Sequence, residues 1–445
     1  MQTMPTRSGT RAGRRQYAES NPVLLAGARS RRAQWSAAAR RRSRRFPTTH
    51  PEAVTSGDGK TTNRRVLASA RMLEVSPDGR FLVLPALATA HSHAFQRGMR
   101  GAAQRDPRDF WSWRAAMYRA AAALDPESIA RISAVAFREL HAAGVRTVGE
   151  FHYVHHQPDG TPYADRTILS DAVVQAATDA GLRVAILRVA YHRAGPGRPA
   201  EEGQKRFCDP SVDDVLRDVE SLRAKYKNRP DVRVGVAPHS VRAVPPAWIR
   251  ELAAYANEHD LPLHMHVAEQ QREIDECVAE TGKHPVALLE ELGALGPRFV
   301  AVHATHLEPA HAKLLGAARA FACLCPTTEA DLGDGLPLLG AMRDAGVRLC
   351  NGIDSHVITD SIAELRALET LERLRTEKRV TFRPASGTPA EVLWRSGSLE
   401  GAAACGFDDA GGTIRIARDH PALALVRDDE LLDAIVFSGS SSMVV

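Results

Sequence analysis

The sequence predicts an α/β chain built on a (β/α)8 barrel, and three observations carry that expectation. From about residue 80 onward, short β-rich runs alternate with helical patterns, as in successive βα units. Eight such repeats fill about 295 residues, enough for the ~250 of a (β/α)8 barrel with longer loops. Histidines gather at the ends of the expected strands, and barrels of this kind carry their chemistry at that rim. A doubly wound open sheet is the rival, but no GxGxxG follows an early strand. The barrel is preferred.

The chain has 445 residues, 44% hydrophobic and 25% charged, which excludes both a wholly disordered protein and a small disulfide scaffold. No apolar run approaches the ~20 residues of a membrane span. The six cysteines are irregularly spaced, and Cys323-x-Cys325 has no CxxC partner, so it reads as buried thiols. A reducing, cytoplasmic setting is expected.

The net charge of +5 divides unevenly along the chain. Residues 1–50 hold twelve Arg and a single acid, Glu19, whereas the remainder is mildly acidic. Residues 1–62 are therefore expected to form a disordered, Arg-rich extension outside the chemistry. A transit peptide and a nucleic-acid-binding arm are the alternatives. The three aromatics among the arginines, Tyr17, Trp35 and Phe46, do not form a regular interleaving for base stacking, so nucleic acid is not the expected partner.

The expected barrel strands are 81–91, 145–153, 182–192, 232–239, 261–268, 299–305, 320–325 and 347–354. Between them lie helical stretches such as 128–144, which starts after Asp125-Pro126-Glu127 and stops at Gly144, and 171–181. Strand 1 ends in His91-Ser92-His93 and strand 4 in Pro238-His239-Ser240. Strand 5 contains His264-Met265-His266 followed by Glu269, strand 6 ends at His303, and strand 8 ends in Asp354-Ser355-His356. Residues i and i+2 of a strand point to the same side, so His91 and His93 can reach one metal in the barrel mouth. A third imidazole from strand 5 and a carboxylate from strand 8 complete a donor set suited to Zn²⁺, with Fe²⁺ the competitor. On spacing alone, either His264 or His266 qualifies.

The segments AHSHAFQRGMRG (90–101), FWSWRAAMYR (110–119), VGEFHYVHHQPDGTPYAD (148–165), VGVAPHSVRAV (234–244), HMHVAEQQREIDEC (264–277), VHATH (302–306), CLCPTTEADLGDG (323–335) and GIDSHV (352–357) resemble the amidohydrolase superfamily. Within it, HAFQR, EFHYVHH and HVAEQ resemble the formimidoylglutamate deiminases of histidine degradation. The resemblance spans about residues 90–375. It implies one divalent metal, usually zinc, held by His91, His93, His266 and Asp354, and leaves His264 structural. Strand 4 lacks the Lys that bridges two metals in the binuclear branch. It implies Glu269, His303 and Asp354 as catalytic groups, with Gln96, Arg114, Tyr153, His239 and Arg242 binding the two carboxylates of N-formimino-L-glutamate. The remaining basic residues near the rim, Arg97 and Arg100, are read as surface charges.

The resemblance further implies a homodimer and a small β-sandwich built from both chain ends. Here 63–85 and 385–445 are expected to supply a remnant of that sandwich around a barrel at 86–384. The tail after Gly411-Gly412 lacks the usual apolar strand, and Asp331 stands where relatives carry Asn. Two alternatives bound the functional expectation. One is another mononuclear deaminase or hydrolase of the superfamily, of nucleobase or triazine type. The other is a non-catalytic barrel with a nucleic-acid-binding basic arm.

Overall fold

The computed structural model describes residues 72–105, 109–384 and 386–445; the expected extension at 1–62 lies outside them. Eight parallel strands form the barrel: β3 (Leu87–Ser92), β4 (Val145–His152), β5 (Arg183–Ala190), β8 (Val232–Pro238), β9 (Leu263–Val267), β10 (Phe299–His303), β11 (Phe321–Leu324) and β12 (Arg348–Asn351). They hydrogen-bond in chain order, and the ring closes where β12 meets β3. There Ile353 N and Asp354 N both donate to His91 O at 3.1 Å, and His93 N donates to Asp354 O at 3.0 Å. Helices cover the outer face, so β3 and β9 are buried throughout and read as continuous apolar runs punctuated by histidines.

Local signals explain the larger barrel helices. Helix Pro126–Ala142 starts where the Asp125 side chain accepts from Ser128 N at 2.7 Å, with Pro126 in its first turn, and ends before Gly144 at φ +87°. Helix Ile168–Asp179 precedes Gly181 at φ +79°. A short hairpin, β6 (Arg193–Gly195) with β7 (Arg198–Pro199), interrupts the connection from β5 to helix Val212–Tyr226.

The run expected as a single first strand at 81–91 divides at Ala86. Phe81–Pro85 is β2, which pairs antiparallel with β1 (Glu74–Val75) and with β13 (Thr413–Ala417), and only Leu87–Ser92 enters the barrel. Pro85 lacks the N–H that an uninterrupted central strand requires. The chain ends thus contribute one three-stranded sheet, in which the GGTIRIA segment, expected to lack its strand, does form β13. Most of the rest of 386–445 is helical instead of β, including Pro389–Arg395 and Leu431–Ser438. Trp394, fully buried, donates from Nε1 to Pro85 O at 3.0 Å and ties this helical segment to the β2–β3 junction. No helix among the described residues is long and apolar enough to cross a membrane.

Candidate active site

The strand ends deliver their polar side chains to one recess at the C-terminal mouth of the barrel. At its floor, His91 and His93 project from the same face of β3, as the two-residue spacing requires. The glycine at 352 makes room for them, because a Cβ there would lie 2.7 Å from the His91 Cβ. His91 Nε2 lies 3.2 Å from both His93 Nε2 and His266 Nε2. Asp354 Oδ1 lies 3.5 Å from His91 Nε2 and 3.4 Å from His93 Nε2. Its other oxygen, Oδ2, faces His303 Nε2 at 3.8 Å.

Two of these rings are fixed from behind. His93 Nδ1 donates to Phe151 O at 2.9 Å and His266 Nδ1 to His239 O at 3.1 Å, which puts the proton on Nδ1 and the lone pair of Nε2 inward. Burial holds His91 down to about 3 and pushes His93 and His266 below the ordinary imidazole value. Although burial raises the Asp354 carboxyl, the His91 hydrogen bond and surrounding imidazoles hold it well below the usual carboxylate range. Three imidazole nitrogens and one carboxylate converging at 3.2–3.5 Å, with two of the nitrogens turning their lone pairs inward, is the donor chemistry of a divalent metal site. His264 faces away and donates from Nε2 to Ala404 O at 2.9 Å.

Above this cluster, His303 Nε2 sits 3.8 Å from Glu269 Oε1, while His303 Nδ1 meets Glu329 Oε1 at 3.2 Å. Burial pulls the imidazole down, but Glu269, Glu329 and Asp354 outweigh it and hold His303 up to about 10. Burial raises the Glu269 carboxyl, against the pull of His303 and Arg242. Ala268, His303 and Asp354 all adopt positive φ, between 51° and 67°, as the chain turns sharply out of each strand. Such backbone is held at a cost of ~1–3 kcal/mol per residue and is concentrated at functional sites.

The opposite wall carries the expected carboxylate-binding groups. Arg114 comes from helix Phe110–Ala122, which the Asp109 side chain caps through Ser112 N at 2.9 Å. Arg242, 3% exposed, comes from the turn after β8. Arg114 Nη1, Arg242 Nε and Gln96 Oε1 are buried without a hydrogen-bond partner. Gln96 Nε2 donates to the Tyr153 hydroxyl at 2.8 Å, and His239 lies alongside, so all five expected residues line the recess.

Arg97 and Arg100 are not free surface charges. Both pair with Glu139, at 2.7 and 3.1 Å, and Arg100 also donates to His356 O. Asp331 accepts from Gln104 Nε2 at 3.2 Å, outside the recess. Several groups had no sequence signal. Glu329 is four residues past Cys325 and reaches His303 only because β11 ends beside β10. Glu150 accepts from Ser92 Oγ at 2.6 Å and Ala94 N at 2.9 Å, steadying the strand that carries His91 and His93. Tyr118 and Tyr191 line the recess and both accept from Gln204 Nε2. Tyr118 alone was within reach of sequence reasoning, being four residues beyond Arg114 on one helix.

Residues 82–438 match the model of the amidohydrolase family. The chain belongs to the amidohydrolase family. Among curated relatives, a formimidoylglutamate deiminase of Pseudomonas aeruginosa is 38% identical over 410 residues, covering 87% of this chain and 89% of its own length. An 8-oxoguanine deaminase of the same species is 30% identical over 304 residues, covering 66% and 65%. Among solved structures, an amidohydrolase from Brucella melitensis superposes with a TM-score of 0.74 at 35% identity, covering 81% of this chain and 84% of that one. The resemblance read from the sequence is borne out at the level of family and barrel, and the family together with the His/Asp groups gathered at the mouth implies a divalent metal.

Proposed function

We propose that this amidohydrolase is a formimidoylglutamate deiminase, converting N-formimino-L-glutamate to N-formyl-L-glutamate and ammonia. The observation that carries the reading is the pair of guanidiniums, Arg242 buried and Arg114 half-buried with its Nη1 enclosed. Arg114 and Arg242 face the metal-ligand cluster across the recess with unpartnered donors, and among the described residues neither is in an ion pair. Unpaired buried cations are costly unless an anion completes them. A nucleobase or triazine brings no carboxylate, whereas formimino-glutamate brings two, which a planar guanidinium can grip bidentately.

His91, His93, His266 and Asp354 would hold one divalent ion, for which Zn²⁺ is the best match to the donors. When bound, the metal acts as a Lewis acid and makes water a nucleophile near neutral pH. Asp354 divides its two oxygens between ligation and proton acceptance: Oδ1 faces the imidazoles, and Oδ2, turned to His303, takes the proton of the attacking water. His303 orients that water and supports the oxygen of the tetrahedral centre. Glu269 accepts the N–H bonds of the cationic amidinium and relays the proton that Asp354 took from water to its terminal nitrogen; that nitrogen leaves as ammonia while the hydroxyl of the tetrahedral centre returns its own proton to Asp354 and becomes the formyl carbonyl. Arg114 and Arg242 bind the carboxylates, with Gln96, Tyr153 and His239 donating to the same oxygens.

The direct test is ammonia release from N-formimino-L-glutamate, with the organic product identified. N-formyl-L-glutamate is the expected product; glutamate, or turnover of 8-oxoguanine or methylthioadenosine in its place, would reject the reading. In the same assay Arg242→Lys keeps the charge and loses the fork, so KM is expected to rise at least tenfold with a smaller change in kcat.

A further inference from the structure

Residues 111, 114 and 118 are spaced by three and four along helix Phe110–Ala122 and share one face. The Arg114 Cζ lies 4.6 Å from the Trp111 ring centroid and 5.4 Å from that of Tyr118. The same indole receives two further cations from other parts of the barrel rim. Arg242, from the turn after β8, places Cζ at 5.6 Å, and Arg272, in the first turn of helix Gln271–Thr281, places it at 4.4 Å. Three guanidiniums from three segments thus converge on one half-buried ring.

Gathering like charges is unfavourable unless something holds them, and the usual holder, a carboxylate, would take up their N–H donors as well. Arg272 does have one, Glu276 at 2.8 Å, and it stands at the outer, exposed edge. Arg114 and Arg242 are held differently. An aromatic face attracts the guanidinium plane through its quadrupole yet offers no in-plane acceptor, so the N–H edges stay free. The unpartnered Arg114 Nη1 and Arg242 Nε are those free edges.

We propose that Trp111 is a positioning residue for dicarboxylate recognition: its indole fixes Arg114 and Arg242 at a set separation while leaving their donors open to an anion. This rests on the proposed function for the identity of the natural substrate, but not for the class of anion. A monocarboxylate needs only one guanidinium and can follow it if it shifts. A dicarboxylate needs two guanidiniums at fixed spacing, so it alone registers the loss of the ring.

The test compares the full-length, metal-loaded wild type with Trp111→Leu and Trp111→Tyr, using calorimetric binding of glutarate and butyrate. Trp111→Leu is expected to raise the glutarate Kd about tenfold, the scale of a desolvated cation–π contact, and the butyrate Kd less than threefold. Trp111→Tyr, which keeps a π face, is expected to recover most of the loss. In turnover of N-formimino-L-glutamate the Leu variant should lose mainly in KM. Unchanged glutarate binding, equal weakening of both acids, or a wild type that does not prefer glutarate to butyrate would each overturn the proposal. If the Kd pattern appears but no ammonia is released from N-formimino-L-glutamate, the positioning role stands and the proposed function falls.

Discussion

Replacing Glu269 with Gln is expected to lower kcat by about 10²–10⁴-fold while leaving one metal per chain, measured by elemental analysis of the purified variant. The size follows from the two duties assigned to this carboxylate. It neutralises the amidinium, and it carries the proton that lets ammonia depart. Gln is nearly isosteric, so the recess keeps its shape, but it can neither carry that proton nor balance the charge. The separation from metal binding follows from geometry. The Glu269 Oε1 approaches His303 at 3.8 Å and takes no part in the clusters formed by His91, His93, His266 and Asp354. A variant that loses its metal would make Glu269 a ligand, and one that keeps full turnover would move proton delivery to His303 or Asp354.

The second large effect lies in the buried ionic cluster behind the substrate wall. Arg188, 1% exposed, donates to Asp209 at 2.6 and 3.1 Å and to Asp218 at 2.7 and 3.2 Å. Both acids are buried. Arg166 also reaches Asp218 at 2.6 Å, but among the described residues Asp209 has only His156, at 3.5 Å, besides Arg188. Arg188→Met is therefore expected to destabilise the fold by about 3–5 kcal/mol at pH 7, read from the urea midpoint, because it strands Asp209 as a buried charge.

The pH dependence has a definite sign. Burial alone would raise the Asp209 carboxyl, but Arg188 outweighs it and the group is held below its ordinary 3.8. Its contribution to stability is thus complete above that value and is lost as pH falls through the depressed one. The deficit of Arg188→Met should shrink toward acid pH, where the stranded carboxyl can protonate. Adding Asp209→Asn should recover part of it at pH 7; no recovery would locate the damage elsewhere.

The barrel was legible because a parallel strand covered on both faces is written as a short apolar run, and eight such runs recur between helical patterns. The metal-ligand cluster was legible for a related reason. A strand fixes its side-chain direction with a period of two, so His91 and His93 declare a shared target before any fold is known. What stayed hidden depends on partners remote in sequence. Periodicity does not divide FLVLPALATAHS, because each half is equally β-like, and the boundary expected between residues 85 and 86 comes only from the family resemblance. The helices at 389–404 follow from packing Trp394 under the β2–β3 junction, a tertiary choice. Glu329, Trp111 and Arg188 look like ordinary residues in their own segments, and only the meeting of distant elements gives them their contacts.

The join between β3 and β12 has a mechanical meaning. A barrel must be fastened somewhere, and here the fastening and the reacting centre are the same few atoms. His91 and His93 stand on one lip of the seam and Asp354 on the other, while the His91 carbonyl takes both amides from across it. Fastening the hoop closes a loop of about 264 residues, an entropic debt that grows only as the logarithm of length but falls due at a single place. An ion shared across the two lips works as a rivet. Its affinity and the closure of the hoop draw on one free energy, so each tenfold in ion affinity is worth ~1.4 kcal/mol of hoop strength. Stripping the proposed metal is therefore expected to abolish turnover and to lower the stability of the barrel together.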